Sequence, residues 1–547
     1  MSRDSRSNDR TPRSRGVAGN DRPRRDQQQG QGDKQGRGNR QGSADGSRRN
    51  AKGRERNRGG RQPRQFSAAA PSQRSRNADP ARKVAFDVLQ AVAVDNAYAN
   101  LALPHHIRRA RLDQRDAGFA TELTYGSLRE LASLDAVLAE CSDRPLKNID
   151  PPVLDVLRIG TYQLLHMRVP QHAAVDETVA LARDCVGAGA GGFVNAVLRR
   201  VTERSREEWA ETLESSITDP MARLALRYSH PEWVVRALRS SLVVHGRSAE
   251  ELEALLEADN VAPAVHLAAL PGIATEQELK RLKATPSTWV PEAYSVNSGG
   301  DPLRWPGVAE GHIRVQDHGS QLAARVLAEA DVAGTDAGRW LDMSAGPGGK
   351  AALLAAIAAQ RGAHLTANEV QEHRSNLVKQ ALRAVDGKAW TSVTGDGRDI
   401  GKAQPNHYDR ILLDAPCSGL GALRRRPESR WRKQPSDIPA LTRLQSELLN
   451  SALDALRPGG VLAYVTCSPH PAETLAILED AFHRRKDIEL LDTGAVLDSV
   501  TLTGKGDATR PADPVVGTNT GSTAQLFPHS HGTDAMFMAL ITKKEQA

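Results

Sequence analysis

Apolar positions from Pro80 onward recur with helical spacing. Ala85, Val88, Leu89 and Val92 fall at i, i+3, i+4 and i+7, and Val153, Val156, Leu157, Gly160 and Leu164 repeat the pattern. No strand-like alternation interrupts this between Pro80 and about Arg200, which predicts an all-α domain over 79–215. Residues 216–325 read less regularly: Tyr228-Ser-His-Pro-Glu-Trp233 opens a helical stretch to about Asp259, and a Pro- and Gly-punctuated region with short extended pieces follows. That stretch is expected to link the helical domain to the rest of the chain and to pack with it. From Arg339 the pattern alternates strand and helix. Trp340–Met343, His364–Glu369, Trp390–Gly395, Arg410–Asp414 and Val461–Cys467 read as strands, with helices over Lys350–Gln360, Glu372–Val385 and Ile438–Leu456. Repeated βα units predict a parallel, doubly wound α/β domain over 326–547, with ligands at the C-terminal ends of the strands.

Length and composition narrow the classes. The chain has 547 residues, four cysteines and a mean hydropathy of −0.49, and it contains no long uncharged apolar run. Its first residues are charged where a signal peptide requires an apolar segment, so a soluble, cytoplasmic protein is expected, with no membrane association. Cys141, Cys185, Cys417 and Cys467 lie 44, 232 and 50 residues apart, which is neither a disulfide framework nor a metal-binding pair. No metal site is expected. The net charge of +7 conceals a division: residues 1–78 hold 21 basic and 7 acidic side chains, so the remainder is net acidic. This Arg- and Gly-rich tail, with Phe66 its only aromatic residue, buries too little apolar surface to offset the entropy of ordering, and disorder is expected. It suits either unspecific contact with phosphates or a solubilising role.

The candidate chemistry lies beyond the predicted strands. The run Asp342-Met343-Ser344-Ala345-Gly346-Pro347-Gly348-Gly349-Lys350 is a glycine-rich strand-to-helix turn. It has neither the dinucleotide nor the P-loop spacing, yet it lets a ligand approach the backbone and the free N–H groups of a helix start. Glu369 follows 27 positions after Asp342, close to the spacing of a ribose-binding carboxylate, and Asp396 stands after the next strand, where it can accept from an adenine amino group. Together they point to an adenosine-containing cofactor. Cys417, in Asp414-Ala-Pro-Cys-Ser418, and Cys467, in Thr466-Cys-Ser468, each stand just past a core-type strand, where a nucleophilic thiolate accounts for them. Cys141 and Cys185 read as small buried hydrophobes. Arg424-Arg-Arg-Pro-Glu-Ser-Arg-Trp-Arg-Lys433 places six basic residues around one Trp directly after the Cys417 loop and reads as an RNA contact.

These motifs carry a resemblance. Asn96-Ala-Tyr-Ala-Asn100, Glu122-Leu-Thr-Tyr-Gly-Ser-Leu-Arg129, Leu157-Arg-Ile-Gly-Thr-Tyr-Gln-Leu-Leu165 and Gly192-Phe-Val-Asn-Ala-Val-Leu-Arg199 look like the helices of NusB-like RNA-binding domains. Asp342–Lys350, Asp414–Ser418 and Thr466–Ser468 resemble the signatures of S-adenosylmethionine-dependent RNA cytosine-5 methyltransferases, and Val315-Gln-Asp-His-Gly-Ser320 resembles their lead-in to the catalytic domain. With the NusB-like domain in front, the chain is similar to the RsmB/Sun family, which acts on small-subunit ribosomal RNA. The resemblance implies a Rossmann-like catalytic domain that uses S-adenosyl-L-methionine. It implies cofactor contacts from Ser344, Ala345, Gly346, Pro347, Gly348, Gly349, Lys350, Glu369, Asp396 and Asp414, a nucleophile in Cys467, product release assisted by Cys417, and contact with the base from Asp414. The chain departs from the family in having Ser344 and Gly346 where Cys and Ala are common, in having Glu369 where Asp is frequent, in following the family pattern only loosely over Asn260–His266, and in a Gly-, Thr- and Asp-rich stretch, Thr493–Thr523, that reads as a long loop. The expected partner is RNA, ribosomal before transfer RNA, and the expected state is a monomer. A non-catalytic RNA-binding or antitermination-type factor is the alternative of a different class, and the two strand-end thiols speak against it.

Overall fold

The structure, a computed structural model, describes residues 78–297, 300–502 and 523–545. The basic segment 1–77 and residues 503–522 lie outside the described residues, and the expectations for the tail lie there with them.

The N-terminal domain is built from α1 (Pro80–Val94), α2 (Ala99–Ala110), α3 (Gln114–Arg129), α4 (Leu131–Cys141), α5 (Pro151–His166), α6 (Gln171–Cys185) and α7 (Ala190–Val201). Helix α1 starts with Pro80 at its first position, and the Asp79 carboxylate accepts the Arg82 N–H at 2.9 Å, satisfying a donor that has no partner within the helix. Ala81, Val84, Ala85, Val88 and Leu89 form its buried stripe. Gly126 is where α3 meets α5: a Cβ there would stand 1.9 Å from the Tyr162 ring, whose hydroxyl donates to Glu122 at 2.5 Å. The glycine and the tyrosine thus form one contact between two of the recurring sequence motifs.

Three helices follow the domain, Pro220–Arg227, Glu232–Val244 and Leu252–Asn260. Their buried face, including Val234, Leu238 and Leu256, closes over Leu420, Leu423 and Phe527 of the C-terminal domain. A small antiparallel sheet comes next, made of β1 (Val265–Ala269), β2 (Thr285–Pro286), β3 (Ala293–Val296) and β4 (Ile313–Val315) in the order β2-β3-β1-β4.

The large sheet contains β5 (Arg339–Asp342), β6 (His364–Glu369), β7 (Trp390–Thr394), β8 (Tyr408–Asp414), β9 (Leu456–Thr466), β10 (Ile488–Leu490), β11 (Thr523–Gln525) and β12 (Phe537–Lys543). Its order is β10-β12-β9-β8-β5-β6-β7, with β11 beside β12. Alternate residues serve opposite layers. Trp340, Leu412, Val461, Ala463 and Val465 share a core with the helices His318–Glu329 and Gly349–Gln360, while Leu341, Ile411, Leu413, Leu462 and Tyr464 pack with Ile438–Ala455. The chain runs outward from β5 to β6 and β7, then crosses back to β8 and β9, so the crevice at the end of β5 is the topological switch point where such sheets bind ligands.

Two expectations are corrected. The sheet is parallel from β7 to β9 only; β12 runs antiparallel to β9, and β10 and β11 run antiparallel to β12. An antiparallel neighbour needs no helical crossover, so the βα rhythm of the earlier strands says nothing about the direction of the last one. The stretch from Thr493 is not wholly loop. Residues Thr493–Ser499 form a helix capped by Asp492, which accepts the Ala495 N–H at 3.1 Å, and Leu497 is buried. Among the described residues no helix is long and apolar enough to cross a membrane, and no group of three or more His, Cys, Asp or Glu is arranged to hold a metal ion.

Candidate active site

Every parallel strand ends at one cleft of about 980 Å³. Its floor is the loop after β5, tied to its neighbours by Asn368, whose amide donates to the carbonyls of Met343 at 3.0 Å and Gly395 at 3.1 Å. Glu369, nearly buried at the end of β6, accepts the Gly346 N–H at 3.1 Å and the Gln371 N–H at 3.1 Å, with Arg374 3.5 Å away. With glycine at 346 the Glu369 carboxylate sits where a Cβ would otherwise displace it. Asp396 is gripped by Arg398 at 2.6 Å, and this hydrogen bond holds its carboxyl below the usual range.

Deeper in the floor, Lys350 donates to Asp414 at 2.8 Å. Burial works against the Lys350 charge, but Asp414 outweighs it and the lysine pKa is raised. Asp342 lies buried beneath the loop with both carboxyl oxygens unpartnered among the described residues. Burial first, and then the charge of Asp414, push its pKa up to about 7.

Ser344, Gly346, Glu369, Asp396, Asp414, Cys417 and Cys467 all line this cleft. Ala345, Pro347, Gly348, Gly349 and Lys350 do not; they form the turn and the helix start beneath it, and Lys350 acts through Asp414. The lining offers acceptors for hydroxyl groups and amines at the switch point, which fits a ligand carrying ribose, adenine and a cationic amine.

The two thiols face each other across β8 and β9, with Sγ atoms 3.4 Å apart. Adjacent parallel strands place their end residues side by side, and here each end carries a cysteine. The hydrogen bond from Cys417 lowers the pKa of Cys467 against the opposing effect of burial, and Lys350 and Arg426 add to the lowering. The same hydrogen bond, together with burial, raises Cys417 well above an ordinary thiol. Of the two thiols, these surroundings favour negative charge on Cys467 and the proton on Cys417.

A buried carboxylate ties the two cysteine loops together. Glu473, fully enclosed, accepts the Ser418 N–H at 2.7 Å and hydroxyl hydrogens from Ser418 at 2.5 Å and Ser468 at 2.6 Å, and the Gln445 amide donates to it at 3.2 Å. Ser418 and Ser468 are the residues after the two cysteines, so one carboxylate fastens both loops. Sequence reading missed it; an acid six residues after Cys467 is the only local signal.

Of the six basic residues in the run Arg424–Lys433, three are held by protein groups, which narrows its reading as an RNA contact to the other three. Arg424 and Arg425 pair with Asp317 at 3.0 and 2.7 Å and with Asp534 at 2.9 and 3.0 Å. Arg430 is fully buried and donates to the backbone carbonyls of Arg129, Ser229 and Asp259. From this run Arg426, Ser429, Trp431, Arg432 and Lys433 line the cleft, joined there by Asn96 and Tyr98 from the helical domain. No local pattern distinguishes these residues from their buried neighbours.

Comparison with known proteins agrees with this geometry. The family described as 16S rRNA methyltransferase RsmB/F matches residues 331–542, and the NusB family matches residues 79–203. The Mycobacterium tuberculosis protein Rv1407 is 45% identical over 472 residues, spanning 86% of this chain and 98% of that one. Ribosomal RNA small subunit methyltransferase B of Vibrio cholerae is 30% identical over 83% of this chain and 98% of its own. The crystal structure of PH0851 superposes with a TM-score of 0.68 at 20% identity, covering 85% of this chain and 99% of that one, and so shares the fold. The chain carries a NusB domain in front of a catalytic domain whose strand ends bear three carboxylates and the thiol pair, and it belongs to the RsmB/F family of S-adenosylmethionine-dependent methyltransferases.

Proposed function

We propose that this enzyme methylates C5 of a cytosine in RNA, with small-subunit ribosomal RNA as the substrate, through a transient bond between Cys467 and C6 of the base. The observation that carries this reading is the thiol pair 3.4 Å apart at the ends of β8 and β9, inside an acid-lined cleft. S-adenosylmethionine, when bound, supplies an electrophilic methyl group. Ser344, Glu369, Asp396 and Asp414 are the side chains that would hold it.

C5 of cytosine is a weak nucleophile. Addition of the Cys467 thiolate to C6 moves the C5=C6 electron pair onto C5, which could then take a methyl group from a sulfonium donor, whose sulfur would leave with the bonding pair as a neutral thioether. Asp414, paired with Lys350 at 2.8 Å, accepts from the exocyclic amino group and orients the ring during addition. Loss of the C5 proton to solvent restores C5=C6 and expels the Cys467 sulfur with its electron pair. Cys417, the protonated partner, donates to that sulfur as it leaves. A base stacked in a duplex cannot reach Cys467, so the target is unpaired or extruded.

Bisulfite sequencing of total RNA from a strain lacking this protein tests the reading. Loss of one protected cytosine in small-subunit ribosomal RNA is expected. Loss in a transfer RNA instead would reassign the substrate, and an unchanged pattern would overturn the chemistry.

A further inference from the structure

The arginines of the 424–433 loop fall into two groups. Arg424, Arg425 and Arg430 are neutralised by carboxylates or carbonyls. Arg426 and Arg432 form no ion pair with a carboxylate among the described residues, and both face the cleft. What holds them is a residue of the other domain: the guanidinium carbons of Arg426 and Arg432 stand 4.8 and 4.7 Å from the centre of the Tyr98 ring.

Tyr98 is itself anchored to the same loop. It precedes α2, whose first N–H, that of Ala99, donates at 3.1 Å to Glu428, and Arg432 donates to the Ala97 carbonyl. The cleft therefore has an acidic end, with Glu369, Asp396 and Asp414, and a cationic mouth to which the helical domain contributes. The half-exposed Trp431 ring stands at that mouth. Two guanidiniums without a carboxylate partner among the described residues, beside an exposed aromatic face, suit a phosphodiester and the base next to it.

We propose that Tyr98 makes the helical domain part of the substrate site, holding Arg426 and Arg432 as a clamp on the RNA phosphate beside the target nucleotide, with Trp431 stacking on the neighbouring base. This rests on the RNA-methylation reading above and adds to it a binding subsite shared between the two domains. Tyr98 is a positioning residue: its ring sets where the two cations point.

The test uses the full chain with Tyr98→Ala, Tyr98→Phe and the pair Arg426→Gln and Arg432→Gln. Binding of a 20-nucleotide single-stranded RNA is read by fluorescence anisotropy across a salt series, and methyl transfer to in-vitro-transcribed 16S ribosomal RNA is read with a radiolabelled donor. The arginine pair should reduce the slope of log affinity against log salt by about 0.7, the release expected for one phosphate on a single strand. Tyr98→Ala should raise KM for RNA roughly tenfold with kcat changed less than about twofold, and it should add little to the arginine pair, because coupled residues are not additive. Tyr98→Phe keeps the ring and should behave as the parent.

Donor binding, measured by calorimetry, should be unchanged in all variants and serves as the control for folding. A Tyr98→Ala variant with parental KM and salt slope would overturn the clamp, as would a Phe variant as impaired as the Ala variant. If the parent methylates RNA while Tyr98→Ala binds normally, the clamp fails and the methylation reading stands. If the parent methylates no RNA but loses affinity through Tyr98, the methylation reading fails and the clamp stands.

Discussion

Two sulfurs sharing one hydrogen bond are chemically unequal, and their surroundings favour charge on one of them. The Cys417 hydrogen bond, helped by Lys350 and Arg426, favours negative charge on Cys467, while the same hydrogen bond and burial hold Cys417 well above an ordinary thiol. Cys467→Ala should abolish methyl transfer and leave donor binding nearly intact by calorimetry. Cys417→Ala should slow expulsion of the sulfur and accumulate a protein–RNA adduct that survives denaturing gel electrophoresis and is absent from the double variant. Asp342 provides a pH signature. Its folded pKa of about 7 lies above its ordinary value of 3.8, so folding is penalised as the group must ionise. Stability is highest below the unfolded pKa and declines as pH rises from about 4 to about 7. Asp342→Asn should therefore raise the melting temperature more at pH 8 than at pH 4.5, by up to about 4 kcal/mol in stability at the higher pH. Equal gains at both pH values would show that the carboxyl is not the buried titrating group inferred from its surroundings.

At the scale of elements, the active site depends on how two adjacent strand ends are held in register. The β8–β9 ladder brings Asp414 beside Val465, and the loops beyond carry the thiols, but loops are the soft part of the sheet. Glu473, in the turn after β9, removes that softness by accepting from both Ser418 and Ser468. Glu473→Ala would leave two hydroxyls and an N–H buried without an acceptor, a loss of about 2–4 kcal/mol by chemical denaturation. Glu473→Gln keeps one carbonyl acceptor and should lose less. Both variants should reduce kcat with little change in KM for the donor, because what changes is the distance between the sulfurs. A stability loss without any effect on kcat would make Glu473 a purely structural residue.

For the whole molecule, the segment after Cys417 is the hinge pin. Arg430 ties it to Arg129 of the helical domain and to Ser229 and Asp259 of the intervening helices, while Arg424 and Arg425 tie it to Asp317 ahead of the catalytic sheet and to Asp534 near its end. Domains connected by so many buried charge-assisted hydrogen bonds should unfold together. Arg430→Met should cost roughly 3 kcal/mol from orphaned carbonyls and split the single denaturation transition into two, as followed by tryptophan fluorescence and far-ultraviolet circular dichroism. A single transition at the parental midpoint would refute this coupling.

What could be read without the fold was whatever one segment encodes for itself. The i, i+3, i+4 spacing from Pro80 marks amphipathic helices. The runs His364–Glu369 and Arg410–Asp414 mark buried strands because their apolar content has no other use, and in a parallel sheet a strand's end says where a ligand lies, so Glu369, Asp396, Asp414, Cys417 and Cys467 could be nominated from the chain alone. The direction of β12, the role of Glu473 and the division of the basic run into buried and cleft-facing arginines could not. Each depends on a partner that is not a sequence neighbour: Asp317 and Asp534 lie about a hundred residues from Arg424, and Tyr98 lies more than three hundred from Arg426. Periodicity reports which face of a segment avoids water, but a charge is held inside only by the particular groups that the tertiary fold brings to it.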